Sequence, residues 1–333
     1  MQRSTSDAAM GTAGLDDVLS GGLERGRVYL VEGSPGTGKT TIALQFLMQG
    51  ASLGENCLYI TLSETEDELR ATAVSHEWSL DGVVVYELVH PESLLDEKQQ
   101  QSLLYSSDLE LGETTKRIFE SFETLQPERV VLDSLSEIRL LAQSSLRYRR
   151  QILALKHYFA RQNATVLMLD DLSNDINDKT VHSIAHGVIR LEELAPEYGA
   201  ERRRLRVIKY RGRRFRGGFH DFAIHTGGVR VFPRLVSAEH RGDFERTMLG
   251  TGSVEFDALM GGGVERGSSV LILGPSGTGK TIITMTFIKN AIDRGERAAM
   301  FVFDEELGLL IERARALGLD LQAMVASESL FLS

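Results

Sequence analysis

The residues whose types and spacing best support chemistry are Gly33-Ser34-Pro35-Gly36-Thr37-Gly38-Lys39-Thr40, which match G-x-x-x-x-G-K-[ST] at every fixed position. Glycines in such a run let successive backbone N–H groups turn inward and form an anion-binding nest. A helix opening at Lys39 adds the positive end of its dipole. The lysine of this pattern reaches β- and γ-phosphates, and the Thr40 hydroxyl, followed by Thr41, can ligate Mg²⁺. ATP and Mg²⁺ are therefore the expected ligands. The pattern returns at Gly274-Pro275-Ser276-Gly277-Thr278-Gly279-Lys280-Thr281, with Thr281 as the corresponding metal ligand. One match in a chain of this length is compatible with chance. Two matches, each after an apolar run and inside a longer repeat, are not.

A phosphate loop also needs a carboxylate on the metal side. Val130-Val131-Leu132-Asp133 is an apolar run ending in an acid, and Asp133 is expected to hold Mg²⁺ directly or through water. Asp170 and Asp171 also end an apolar run, Val166-Leu167-Met168-Leu169. They read either as members of a structural polar network or as a sensor position.

These residues need elements to hold them. Short apolar, β-branched runs (RVYLVEG, CLYITL, VVVYELV, RVVLDSL, TVLMLDD) alternate with helical stretches, which predicts an α/β fold with a mostly parallel central sheet flanked by helices. From Gly187 to Arg234 the runs follow at hairpin spacing and predict an antiparallel edge to that sheet. Around both loops the sequence repeats itself. Gly26 aligns with Gly267, Lys39 with Lys280 and Glu64 with Glu305, always with the same offset and no gap. The expected organisation is a complete domain over residues 1–240 and a partial second copy over 241–333, reduced to its phosphate-loop strand and helix and the strands that follow. The polar stretch from Leu235 to Thr251 reads as the link between them.

Composition narrows the alternatives. The 333 residues carry 37 Lys+Arg and 47 Asp+Glu, a net charge of −10, which disfavours non-specific binding to nucleic acid. A single cysteine, Cys57, excludes a disulfide framework and a cysteine-built zinc site. The sequence has no apolar run of membrane-spanning length and no secretory leader at its start, so a soluble cytoplasmic protein without membrane attachment is expected. Glycine is abundant at 32 residues, and the two phosphate loops explain part of that excess.

The chain resembles the KaiC family within the RecA-like P-loop ATPases. The resemblance rests on Gly14-Leu15-Asp16-Asp17-Val18-Leu19-Ser20-Gly21-Gly22, the phosphate loop, Thr61-Leu62-Ser63-Glu64-Thr65 and the Asp133 strand. It continues in Lys209-Tyr210-Arg211-Gly212 and Gly227-Gly228-Val229-Arg230-Val231-Phe232-Pro233. It implies a RecA-like fold, ATP hydrolysis, hexameric rings with ATP between subunits, and a regulatory, circadian-clock-like role with regulatory protein partners. It also implies roles for residues. Ser75 and His76 match positions that meet adenine, and Lys209 and Arg211 match the basic pair that reaches a neighbour's phosphates in trans. The family usually has two adjacent glutamates after the second strand, the first of which activates the attacking water. Here that place reads Ser63-Glu64. A serine is no general base near neutral pH, so either Glu64 takes the role or hydrolysis is slow. The second copy keeps Asp304-Glu305. The family's serine/threonine autokinase activity belongs to a complete second domain and is not expected of this partial copy.

The nine basic residues between Arg202 and Arg216 form the strongest charge run of the chain. They read as a trans phosphate clamp built on Lys209 and Arg211, as a nucleic-acid surface, or as solvated strand faces. Strict alternation along a strand from Arg206 would put Lys209 and Arg211 on one face, as a clamp requires. Only Tyr210 and Phe215 interleave as aromatics, which weakens the nucleic-acid reading. Three functions follow: a ring-forming Mg²⁺-dependent ATPase, a nucleotide-gated assembly module with negligible turnover, or a recombinase-like DNA-associated ATPase.

Overall fold

The apolar runs become the strands of one sheet. A computed structural model of the chain describes residues 7–88, 103–172, 180–195, 199–236, 239, 245–303 and 305–333. Contacts divide the chain into two units, Met1–Leu235 and Val236–Ser333.

In the first unit the elements run β1 (Asp7–Ala8), α1 (Leu15–Val18), β2 (Leu23–Glu24), β3 (Val28–Gly33), α2 (Lys39–Ala51), β4 (Cys57–Thr61), α3 (Glu66–Ser75) and β5 (Val83–Glu87). They continue through α4 (Leu103–Leu125), β6 (Arg129–Asp133), α5 (Leu135–Ala142), α6 (Ser145–Arg161), β7 (Thr165–Asp171) and α7 (Thr180–Ile184). The last four strands are β8 (Gly187–Leu194), β9 (Arg202–Tyr210), β10 (His220–His225) and β11 (Gly228–Phe232). Nine of the strands form one sheet in the order β11-β10-β9-β8-β3-β7-β6-β4-β5. From β8 through β5 the ladders are parallel, and β8 to β11 pair antiparallel at one edge. This is the α/β architecture with an antiparallel margin that the sequence implies.

The parallel strands are buried along their length because helices cover both faces. Tyr29, Val31, Tyr59, Val131, Leu167 and Leu169 face α2, while Val28, Leu30, Leu58, Ile60, Val130 and Leu132 face α4 to α6. With β3 in the middle of the sheet and β4, β6 and β7 on one side of it, the carboxyl ends of these strands lie together. Ligands of open α/β sheets bind at that edge. Segments far apart in sequence close the other side. Val231 N donates to Ala13 O at 2.8 Å, and Gln45 of α2 exchanges hydrogen bonds with both the N–H and the C=O of Val229. A Cβ on Gly14 would fall 2.1 Å from the Val231 oxygen, so that position needs glycine.

The second unit holds β12 (Met248–Leu249), α8 (Val254–Leu259), β13 (Val264–Glu265), α9 (Lys280–Asp293), β14 (Ala298–Met300), α10 (Leu307–Ala316), α11 (Leu321–Ala326) and β15 (Leu330–Leu332). Most of these repeat first-unit elements at the sequence offset: β12–β13 mirrors β1–β2, α9 mirrors α2, and α10 mirrors α3. One expectation fails here. The apolar run Val270-Leu271-Ile272-Leu273, expected as the strand feeding the second phosphate loop, forms no strand, and Leu271 and Leu273 are 80% and 81% exposed. In the first unit the matching strand β3 is flanked by β7 and β8, and β7 and β6 fill the space between β3 and β4. Among the described residues of the second unit no strand lies beside 270–273, so its backbone groups have no ladder to join. Residues 237–238 and 240–244 of the expected link lie outside the described residues, as does Asp304.

Candidate nucleotide site

The phosphate loop spans the turn from β3 into α2. Gly33 ends the strand, and a Cβ there would sit 2.6 Å from Thr37 Oγ1. Gly38 caps α2 in the left-handed region with φ 92°, a conformation that suits glycine. Ser34, Pro35 and Gly36 are exposed at the crest, whereas Thr37, Lys39 and Thr41 are buried beneath it. Thr37 Oγ1 donates to Ser34 O at 2.7 Å, which ties the loop to itself. Lys39 Nζ donates to Gly33 O at 2.9 Å and Ser34 O at 3.0 Å, and it pairs with Asp171 Oδ1 at 2.8 Å.

Asp133, at the end of β6, is buried. Tyr59 of β4 donates its hydroxyl to Asp133 Oδ2 at 2.5 Å, and the Thr40 hydroxyl lies close to both groups. Burial pushes the Asp133 carboxyl above its ordinary range, against the hydrogen bond from Tyr59 and the attraction of Lys39. Glu64 stands on the turn after β4. Its N–H donates to Thr61 Oγ1 at 2.9 Å, and that hydroxyl donates back to Glu64 O at 2.6 Å. Thr65 then caps α3 in a reciprocal capping box with Glu68, which fixes where the helix starts. Burial, then repulsion from Asp133 and Glu68, raises the Glu64 carboxyl, while Lys39 opposes the rise. Lys39, Thr40, Glu64, Asp133 and Asp171 thus share one electrostatic environment. Ser63 is exposed beside it.

The donor set fits Mg²⁺ in the way that nucleotide sites usually hold it. Among the described residues no cluster of three or more His, Cys, Asp or Glu side chains encloses a metal. One hydroxyl, Thr40, and one carboxylate, Asp133, leave most positions to phosphate oxygens and water, which suits an ion that dehydrates reluctantly.

Sequence reasoning undervalued two residues. Asp171, read as structural or sensor-like, meets the lysine of the loop directly, whereas its neighbour Asp170 turns to Arg139 (Nη2–Oδ2 2.5 Å) and Ser136. Alternation in β7 gives the two acids different cationic partners, although Ser136 Oγ at the strand end donates to both, 3.3 Å from Asp170 Oδ1 and 3.4 Å from Asp171 Oδ2. Tyr59 carried no signal, because only the β4–β6 pairing brings it to Asp133.

The expected adenine contacts lie at the end of α3. Ser75 Oγ is spent on Thr72 O at 2.7 Å. His76 Nδ1 sits 3.0 Å from His225 O, and its ring stacks on Trp78 at 4.7 Å. The His76 carbonyl accepts from Gly227 N at 3.1 Å, which joins this corner to the β10–β11 turn.

Lys209 and Arg211 do come together, sharing one face two residues apart as alternation requires, and a bulge just before them sets which face that is. Lys209 pairs with Val188 and Val207 with Ile189, so Ile208 is an extra residue on β9. This β-bulge re-aims the strand. Arg211 lies one residue beyond the strand end. Both side chains reach α7, where Lys209 Nζ donates to His182 O and Arg211 Nη2 donates to Ser183 O at 2.7 Å. Burial, with repulsion from Arg211 and Lys156, lowers the Lys209 ammonium to a pKa of about 8. Lys209 lies level with Val188, which pairs with Leu30, three residues before Gly33. It is therefore about 10 Å back along the strands and about 10 Å across the sheet from its own phosphate loop. Much of the remaining basic run is neutralised locally, with Arg202 on Asp221 (2.8 Å), Arg203 on Glu193 (2.7 Å), Arg204 on Glu192 (2.8 Å) and Arg213 on Asp7 (2.8 Å).

The second loop folds the same turn with fewer partners. Lys280 Nζ donates to Gly274 O and Pro275 O, each at 2.8 Å, and Gly279 caps α9 with φ 90°. Thr278 Oγ1 donates to Pro275 O at 2.8 Å, and Gly277 takes a positive φ of 81°. Glu305 pairs with Arg313 at 2.5 Å. Lys280 and Thr281 line an open cavity of about 420 Å³ with Val270, Met300 and Phe301.

A nine-stranded, mostly parallel sheet, a phosphate loop after a central strand and an acid on the next-but-one strand define a RecA-like P-loop ATPase fold. A family model described as "ATPase: KaiC" matches residues 8–236 and 249–333, and the chain belongs to that family. It is 28% identical over 316 residues to the circadian clock oscillator protein KaiC of Synechococcus elongatus, covering 93% of this chain and 60% of that protein. It is 28% identical over 325 residues to the circadian clock protein KaiC3 of Synechocystis sp., covering 94% and 63% of the two chains. It is 26% identical over 328 residues to KaiC2 of the same organism, covering 96% and 56%. The chain thus spans about three-fifths of the length of these relatives.

Proposed function

We propose that the first unit binds ATP with Mg²⁺ and hydrolyses it slowly, in rings where each nucleotide lies between two subunits. The observation that carries this reading is the convergence of Lys39, Asp133 and Glu64 where β3, β6 and β4 end. The loop N–H groups and Lys39 cradle the β- and γ-phosphates. Thr40 and Asp133 hold Mg²⁺, which when bound neutralises phosphate charge. Glu64, its carboxyl raised chiefly by burial, accepts the proton of a water attacking γ-phosphorus in line, as the bond to the β–γ bridging oxygen breaks and ADP leaves. Lys209 and Arg211, out of reach of their own loop, supply positive charge to a neighbour's nucleotide in trans. Gly274–Thr281 is a second, weaker nucleotide-binding loop. The clock role named for the relatives is carried over here as a regulatory or signalling role with protein partners, in the cytoplasm.

Size measurement with and without ATP·Mg²⁺, alongside phosphate release, tests this reading. Rings that require ATP and are lost with Lys39→Ala are expected, and no ATP binding by the wild type would overturn it. A second reading, a nucleotide-gated assembly module with negligible turnover, is favoured by Ser63 at the place of the family's first glutamate. Single-turnover hydrolysis separates the two, and Ser63→Glu should raise the rate if Glu64 alone is inadequate.

A further inference from the structure

The strand that ends in the phosphate loop is tied, through the residue before Gly33, to the helix that holds the basic pair. Glu32 is buried, with a side chain 7% exposed, and both of its oxygens are engaged. Oε2 lies 2.7 Å from His182 Nε2, and Oε1 accepts from Arg190 Nε at 2.7 Å. Burial works against the charge of Glu32, yet His182 and Arg190 outweigh it and hold the carboxyl below its ordinary range. His182 belongs to α7, whose Val181, Ile184 and neighbouring Ala185 sink into the core. The His182 carbonyl accepts from Lys209 and the next carbonyl, that of Ser183, from Arg211. Among the described residues neither Lys209 nor Arg211 forms an ion pair with a carboxylate, so the carbonyls of α7 fix where these two cations stand.

A purely structural role explains Glu32 poorly. The preceding residues of β3 on the same face, Val28 and Leu30, are apolar and fully packed. Apolar residues at Glu32, His182 and Arg190 together would continue that face without desolvating any charge, and such replacement of a whole buried ion-pair set is often neutral or stabilising.

We infer that Glu32 and His182 are positioning residues for the trans clamp: they couple the strand bearing a subunit's own phosphate loop to the helix that places Lys209 and Arg211 over its neighbour's phosphates. The inference rests on the reading of Lys209 and Arg211 as that clamp, and the test separates the two. Full-length subunits are mixed without nucleotide, and ATP·Mg²⁺ is then added. Asp133→Asn silences a subunit's own site but leaves its clamp, so wild-type subunits diluted into it should keep their rate per wild-type subunit. Adding Lys209→Ala to the silent subunits is the control for the clamp. With about five silent subunits per wild-type one, the loss should approach the mixing ceiling of about sixfold.

Adding Glu32→Gln or His182→Asn to the silent subunits is expected to cost about threefold or more, since ångström-scale misplacement is expensive in phosphoryl transfer. The KM for ATP at the wild-type sites should stay unchanged. If the Lys209→Ala control costs nothing, the clamp reading fails. If it costs the full amount while both strut variants match Asp133→Asn alone, the clamp stands and this inference is overturned. Should Glu32→Gln fail to fold by circular dichroism, His182→Asn at the more accessible end of the same contact decides.

Discussion

The molecule contains the same phosphate loop twice, and the two copies differ in what surrounds their lysines. Lys39 is buried, 9% exposed, and holds Asp171 as well as the two loop carbonyls. Lys280 makes the same two carbonyl contacts and, among the described residues, no ion pair. Glu64 is left facing Asp133 and Lys39, whereas Glu305 is taken by Arg313. Tyr59, which donates to Asp133, is matched by Met300 at the same offset. The loop itself is local and folds from eight residues in both places. The acids that meet Lys39 and Thr40 come from β6 and β7, and among the described residues the second unit has no counterpart of those strands. A phosphate loop is thus a local motif, while a hydrolytic site is a property of the sheet.

The sharpest way to break this contrast is to remove each lysine. Lys39→Ala should weaken ATP binding by roughly a hundredfold, the scale of losing charge-assisted phosphate contacts, while Lys280→Ala should change total binding little. Equal losses in equilibrium titrations would show that the second loop is no poorer. Next in size, Glu64→Gln should lower kcat by about a hundredfold or more with ATP affinity retained, as loss of a general base does, and Glu305→Gln should leave turnover alone. A Glu64→Gln enzyme with wild-type turnover would remove Glu64 from the mechanism.

A third test uses stability. The folded Asp133 carboxyl is raised by burial, so between its ordinary and its raised pKa the folded state binds more protons than the unfolded state. Its contribution therefore favours folding at low pH and becomes a penalty as pH rises. Asp133→Asn should melt at a higher temperature than wild type at pH 7 without nucleotide, and the gap should close on acidification. A lower melting temperature at pH 7 would contradict this.

The smallest effect concerns Lys209. Its folded pKa of about 8 lies below the ordinary 10.5, so between those values the unfolded chain binds more protons and stability rises with pH. Lys209→Gln should flatten that rise in melting temperature from pH 8 to 10. A neighbour's phosphates would hold the ammonium charged, so ATP-bound rings should show less of it.

Much of the site was legible in the sequence, but unevenly. Both phosphate loops, Asp133 and the alternating strands were readable because each is set by a few adjacent residues. The tandem repeat was readable because β12–β13, α9 and α10 keep the spacing of their first-unit counterparts. The position of Lys209 was only half readable. Alternation does bring Lys209 and Arg211 to one face, but a bulge at Ile208, which no local residue announces, decides which face it is, and Arg211 reaches the same helix from just beyond the strand. The run from Val270 to Leu273 has the composition of a strand and is not one, because a strand needs neighbours that composition cannot supply.

By itself, then, the sequence determined the turns of the two loops, the order of strands and helices in the first unit and the internal repeat, since these depend on dihedral preferences and apolar periodicity within short windows. Only the tertiary structure decided that Asp171 rather than Asp170 meets Lys39, that Tyr59 donates to Asp133, and that Glu32 and His182 stand between the loop strand and the basic pair. Those contacts join residues on different strands and helices. Which side chains meet there depends on sheet order and register, and these are settled by burial of the whole unit rather than by any one segment of it.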